Sequence, residues 1–302
     1  MDLELPRFVT REEVFGARPL RAEGIRFAGL WVTGSLAGLS GTTVAVVGSR
    51  APSDAARSRA HLLGSELARA GVCVVSGLAL GIDGSAHAGA VAAGGASLGI
   101  LGGGHRHFFP RRNLELAAAL LEAGGAVLSP YSPDEPARPP QFLQRNGVVA
   151  ALADAVVIVE AAERSGALNT AGWAAALGID VMAYPGDVDR PKAAGCNALI
   201  RDGATLVRGP DDVLSALGLA RAGEPAEPLF PHPLEAALAH LLASEPRDFE
   251  ALIEFAAAPA GEVLAALVRM ELAGRIERRA GNTYAGRTAA GRQHENRRAS
   301  HG

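Results

Sequence analysis

Residues 43–53 read TVAVVGSRAPS, five apolar or β-branched residues running without interruption into a glycine, a hydroxyl, an arginine and a second serine. A strand with one wet face alternates apolar and polar residues. A continuous apolar run that stops at a glycine is instead the pattern of a strand buried on both faces, and such strands belong to parallel sheets covered by helices. The pattern recurs along the chain in VCVVS (72–76), SLGIL (97–101), AVLS (126–129), AVVIVE (155–160), IDVMAY (179–184) and TLV (205–207). Between these runs, alanine- and leucine-rich segments predict helices over 54–70, 84–94, 111–123, 140–152, 168–177 and 193–201, and Gly71, Gly124 and Gly178 sit just past three of the ends. Strand–helix alternation of this kind implies the α/β class, as a doubly wound, mainly parallel sheet. Such sheets bind ligands outside the carboxyl ends of their strands.

Outward from this region the texture changes. GLARAGEPAEPLFPHP (218–233) carries four prolines and no periodicity, which reads as a linker. Helical patterns follow over 234–243, 248–257 and 260–273, then GRIERRAGNTYA (274–285), whose Gly-Asn has a hairpin context. Three helices and a hairpin make a winged-helix pattern. The expected division is an N-terminal extension over 1–41, an α/β domain over 42–217, the linker over 218–233, a winged-helix domain over 234–285 and a disordered basic tail over 286–302.

Composition excludes several classes. No apolar run approaches the ~20 residues that cross a bilayer, and the first residues lack a basic and apolar leader pattern. Two cysteines, Cys73 and Cys196, make neither a disulfide framework nor a four-cysteine metal site, so no cofactor or metal is expected and a reducing cytoplasm fits best. The net charge of −3 argues against nonspecific coating of duplex DNA. From Arg275 to the end there are seven arginines against two glutamates, whereas residues 42–209 hold 14 basic and 14 acidic side chains. Any anion site in the large domain is therefore local.

Three places offer one. VAVVGSRAPS (44–53) ends a strand at Gly48, then presents the Ser49 hydroxyl, the Arg50 guanidinium and a helix start at Ser53, the parts of a phosphate cradle. It is neither a G-x-G-x-x-G fingerprint nor a P-loop, which weakens dinucleotide and ATP readings. SGLALGIDGSAH (76–87) places Asp83 and His87 at i and i+4; no third ligand accompanies them, and a structural pair is the preferred reading. The stretch 141–175 repeats the cradle, with Arg145 and Asn146 before one helix, then Ser165 and Gly166 where the strand 155–160 gives way to the helix that bears Thr170. Single-strand binding needs backbone-tracking cations and aromatic faces. Arg50, Arg111, Arg112 and Arg145 are the candidate cations, and Phe142 the candidate stacking ring. Core packing is the competing reading for Phe142, Phe109 and Trp173 in a chain with 5% aromatic residues.

The motifs V-V-G-S-R (46–50), S-G-L-A-x-G-I-D-x-x-A-H (76–87), L-G-G-G…F-P-x-x-N (101–113), R-N (145–146), S-G-x-L-x-T-A (165–171), Y-P-G-D (184–187) and CNALIRDGA (196–204) resemble, in order and spacing, the DNA-processing protein A family, DprA/Smf. Residues 259–284 resemble that family's C-terminal winged helix. The resemblance implies a Rossmann-like homodimer that binds single-stranded DNA in a basic pocket, protects it and helps load the RecA recombinase in natural transformation. It implies no enzymatic reaction, and the short apolar runs already argue against a membrane partner. It carries the family's G-S-R motif onto Gly48, Ser49 and Arg50, and its R-N-R motif onto Arg145 and Asn146, with Gly147 in the place of the last arginine and Leu143 in that of a proline. A lower pocket charge is expected from that departure. The winged helix is left with two partners, duplex DNA or another protein. Two other classes compete: a nucleotide-processing enzyme using the same cradle with Asp83, His87 or Glu160 as acid or base, and a winged-helix transcription regulator.

Overall fold

The protein is described here by a computed structural model covering residues 5–16, 25, 27–219, 233–242, 245–272, 275–279 and 281–286. It divides into two compact units, Met1–Ala222 and Gly223–Gly302. The first contains, in chain order, β1 (Arg7–Thr10), α1 (Arg11–Phe15), β2 (Gly29–Gly34), β3 (Thr43–Val47), α2 (Asp54–Arg69), β4 (Cys73–Ser76), α3 (Ile82–Ala92), β5 (Ser97–Ile100), α4 (Leu114–Glu122), β6 (Ala126–Ser129), α5 (Pro139–Ala151), β7 (Ala155–Ile158), α6 (Gly166–Ala176), β8 (Asp180–Ala183), α7 (Ala194–Arg201), β9 (Thr205–Leu206) and α8 (Pro210–Ala216).

The strands form one sheet in the order β1-β2-β6-β5-β4-β3-β7-β8-β9. From β6 to β9 every pairing is parallel. The chain builds outward from β3 to β6, then returns through α5 to lay β7 on the other side of β3, so the winding reverses between β3 and β7. Both faces are covered, as the uninterrupted apolar runs imply. In β3, Val44 and Val46 join a core with Ala60, Leu63 and Leu67 of α2, while Ala45 and Val47 join another with Val148 and Val149 of α5 and Ala171 of α6. The period of two along the strand sends alternate side chains to opposite cores. Full burial of each valine contributes about 1.5–3 kcal/mol. Gly71, Gly124 and Gly178 stop α2, α4 and α6 at φ +75°, +79° and +65°, in the left-handed region a side chain disfavours.

The boundary expected at residue 42 is corrected. β2 pairs antiparallel with β6, and β1 with β2, so the N-terminal segment extends the sheet itself. Val9, Leu30 and Val32 are buried there. The short helix α8 also escapes the sequence reading, although Val213 and Leu214 are buried against the α2 side of the sheet.

The second unit holds α9 (Pro233–Leu242), β10 (Arg247–Asp248), α10 (Phe249–Ala256), α11 (Ala260–Leu272), β11 (Ile276–Arg279) and β12 (Thr283–Gly286), with its strands in the order β10-β12-β11. Leu238, Leu252, Val263, Leu267, Met270, Ile276 and Tyr284 form its core. Asp248 caps α10 by accepting from Ala251 N at 2.8 Å. The hairpin turns at Gly281 and Asn282, both at positive φ. This is a winged-helix domain, and β10 is its one strand that the sequence did not announce. Most of the expected linker, residues 220–232, and the tail from 287 onward lie outside the described residues.

Candidate nucleic-acid interface

A cavity of about 790 Å³ opens at the carboxyl ends of β3, β4 and β7. This is the point where the winding reverses and where open α/β sheets leave a crevice for a ligand. Its wall is built from the turns that follow those strands and from one face each of α5 and α6. Gly48, Ser49, Arg50, Phe142, Arg145, Asn146, Ser165, Gly166 and Thr170 are brought together on it from three separate stretches of sequence.

β3 gives out at Gly48, where a Cβ would lie 2.7 Å from Ile82 Cγ1 and 2.9 Å from the Glu160 carbonyl oxygen. Only glycine lets the turn pass so close. Ser49 N then donates to the Glu160 carbonyl at 2.7 Å, and Ser49 Oγ accepts from Ala51 N at 3.2 Å. The turn so fixed throws Arg50 outward. Its guanidinium is exposed and stands 5.3 Å from the centroid of the Phe142 ring, a cation–π contact. Phe109 meets Phe142 edge to face at 6.0 Å and is 54% exposed on the cavity wall, which corrects the reading of Phe109 as core.

Arg145 behaves differently from a backbone-tracking surface cation. It is 3% exposed on α5, Nη1 donates to the Ile100 carbonyl at 2.7 Å, and Nε is buried without a partner. The guanidinium rests on Gly77, where a Cβ would come within 1.8 Å of Nη1. Beside it lies Asp83, 6% exposed, whose carboxylate accepts from Gly77 N at 3.1 Å. Burial pushes the Asp83 carboxyl up from its ordinary pKa while Arg145 draws it back, and burial pulls Arg145 down to about 10, still charged at neutral pH. The cavity floor is therefore a buried cation against its counterion, with Arg50 the single exposed cation at the mouth among the described residues. Asn146 ties α5 to the start of α6 by donating to the Gly166 carbonyl at 3.2 Å and to Asn169 Oδ1 at 3.3 Å. Ser165 Oγ accepts from Ala167 N at 3.3 Å, and the first turn of α6 faces the cavity.

Two sequence candidates fall outside. Ser53 caps α2 by accepting from Ala56 N at 3.2 Å, and its own N and Oγ donate to the Glu160 carboxylate at 3.0 and 2.6 Å. The anion at that helix start is the chain's own Glu160, so the cradle shifts from α2 to the Arg50 turn and α6. Arg111 is exposed in a 3-10 turn over Arg111–Asn113 and does not line the cavity. It is Asn113 in the same turn that works structurally, donating to the Leu78 and Ala79 carbonyls at 2.9 and 3.0 Å and so holding the loop after β4. His87 is buried, its Nδ1 at 2.7 Å from Ser97 Oγ, and burial drives its pKa to about 3. Gly147 faces Trp173 and Ile25, so the arginine missing there is a change on the core side of α5. The roles of Gly77 and of Asp83 as counterion had one visible signal, the glycine-rich turn directly after VCVVS.

Comparison with known proteins bears on this geometry. Residues 25–218 match the family described as DNA recombination-mediator protein A, and residues 220–282 match the DprA winged helix domain. The chain belongs to the DNA recombination-mediator protein A family. Within that family it is 38% identical to Protein Smf of Escherichia coli over 256 residues, covering 82% of this chain and 68% of the relative. It is 33% identical to the DNA processing protein DprA of Bacillus subtilis over 226 residues, covering 71% and 76%. The X-ray structure of DprA from Streptococcus pneumoniae superposes with a TM-score of 0.63 at 33% identity, covering 71% of this chain and 75% of that one. A Helicobacter pylori DprA structure, described as giving insight into a single-stranded DNA binding mode, superposes at 0.61 with 24% identity, covering 72% and 98%, and shows the shared fold. Among the described residues of this family member no single helix is long and apolar enough to cross a membrane, and no cluster of three or more His, Cys, Asp or Glu is placed to hold a metal.

Proposed function

We propose that the chain binds single-stranded DNA in the cavity at the β3–β7 reversal and acts as a cytoplasmic recombination mediator. In this reading it protects incoming strands and helps load RecA in natural transformation, as a homodimer. The observation that carries the reading is the exposed Arg50 guanidinium stacked on Phe142, with Phe109 beside it and buried Arg145 beneath. A phosphate meets Arg50 in a charge-assisted contact while an unpaired base reaches the rings on the cavity wall, each stack being worth roughly 1–3 kcal/mol. A duplex keeps its bases inside the stack and cannot make the second contact. The enzymatic alternative loses its acid–base groups: Asp83 opposes Arg145, His87 is sealed in the core and the Glu160 carboxylate is engaged by Ser53.

The winged helix is better suited to a protein partner than to duplex DNA. α11 exposes Leu264, Val268 and Leu272 beside Glu262 and Glu271, and its one arginine, Arg269, donates to the nearly buried Glu235 at 2.7 Å. A major-groove reader needs exposed donors and positive charge on that face. The test is a fluorescence anisotropy comparison of the full chain on a single strand and on the corresponding blunt duplex at one salt concentration. Tighter single-strand binding is expected; equal or tighter duplex binding overturns the proposal.

A further inference from the structure

A second cavity, of about 500 Å³, lies on the far side of the 49–53 turn, over the carboxyl ends of β7 and β8 and against the first turns of α2. Three cations, Arg59, Arg190 and Lys192, and two carboxylates, Glu160 and Asp187, stand on its wall. The charges are not evenly matched in availability. Glu160 accepts from both N and Oγ of Ser53, and Asp187 accepts from Asp189 N at 3.1 Å with the Arg190 guanidinium 3.9 Å away. Arg59 is exposed and has no carboxylate partner among the described residues. Lys192, the only lysine in a chain with 28 arginines, donates one N–H to the Ala51 carbonyl at 2.7 Å and keeps two more for a ligand. Val159, Pro185 and Cys196 give the cavity an apolar side.

Ala51 lines the first cavity and Ser53 the second, so a single turn of backbone separates them, and Lys192 is bonded across that turn. We propose that the second cavity continues the single-strand track: a strand seated at Arg50 crosses the 49–53 turn and places its next phosphodiesters against Lys192 and Arg59, with its sugars on the apolar side. This rests on the reading of the first cavity as the single-strand site. A polyanion that must cross the turn uses both cavities, whereas a free mononucleotide occupies one.

The experiment measures anisotropy of the full chain on two labelled oligothymidylates, a short one of about three nucleotides and a longer one of about twelve, within the span of common single-strand site sizes. Lys192→Ala and Arg59→Ala are expected to weaken binding of the longer strand by about fivefold or more, lower its log–log salt slope by about 0.7 each, and leave the short strand within about twofold of the parent. Lys192→Arg retains the longer strand's affinity. Thermal melting confirms that each variant is folded. Unchanged affinity for the longer strand in both alanine variants overturns the track. Equal weakening of both strands by Lys192→Ala overturns it too, because the effect then runs through the 49–53 turn. If the parent protein binds neither strand, it is the assignment of the first cavity that fails.

Discussion

Replacing Arg50 with alanine separates a ligand contact from a structural one at a single position. The guanidinium is exposed, makes no ion pair among the described residues, and touches the protein through the Phe142 ring at 5.3 Å. A cation–π contact at an exposed site is worth about 0.5–1 kcal/mol, which for a unit of this size moves the melting temperature by about 2–4 °C at most. Loss of a hydrogen bond to a phosphate costs about 1.5–3 kcal/mol, or roughly tenfold to a hundredfold in Kd. Among the described residues only Arg50 and Arg145 bring positive charge to that cavity wall, and Arg145 is buried against Asp83, so none of them substitutes for Arg50. Anisotropy of a labelled single strand across a salt series should therefore show the weakened affinity together with a log–log slope lower by about 0.7. Arg50→Lys should fall between parent and alanine, keeping the charge and losing the planar stack. Unchanged affinity in a folded alanine variant refutes the reasoning, as does a fall of many degrees in melting temperature with affinity per folded molecule intact.

Ser53→Ala should lower stability by about 0.5–2 kcal/mol through loss of the α2 cap, and leave the affinity of a short single strand unchanged when both are measured on the same preparation. Arg145→Met leaves the buried Asp83 without its counterion and should cost about 3–5 kcal/mol by denaturant unfolding; in an Asp83→Asn background the same change should cost much less. His87 has its folded pKa depressed to about 3 by burial, so its contribution is complete above its ordinary pKa of 6.5 and is lost as pH falls from there toward 3. Stability measured by urea titration should decline across that window with a component of up to about 1.4 kcal/mol per pH unit, and His87→Gln should remove that component.

The parallel strands are legible because burial on both faces leaves a direct mark: TVAVV and AVVIV admit no charged residue, and Val44/Val46 and Ala45/Val47 each find a separate core. β1 and β2 leave a fainter mark. Phe8 and Trp31 stay partly exposed on strands of four and six residues, and the pairing of β2 to β6 is a contact across nearly one hundred positions that no local pattern contains. At the site, Gly48, Arg50 and the start of α6 are legible because a strand end followed by small residues has few physical meanings. What escapes is which way a charge points. Arg50 and Arg145 look alike in sequence, yet one lies open on an aromatic ring and the other lies under Gly77 against Asp83. Ser53 fails as a ligand because its partner, Glu160, arrives from the turn after β7, more than one hundred residues away.

The central claim, that an unpaired base lies on the Phe109–Phe142 pair while its phosphate meets Arg50, is tested most directly by ultraviolet crosslinking of a single strand carrying 5-iododeoxyuridine, followed by mass spectrometry of the full chain's peptides. The account predicts adducts on the peptides containing Phe142 and Phe109, abolished by excess unlabelled single strand and strongly reduced in Arg50→Ala. Adducts confined to the β11–β12 hairpin around Tyr284, with the cavity peptides unmodified at saturating strand, would contradict it.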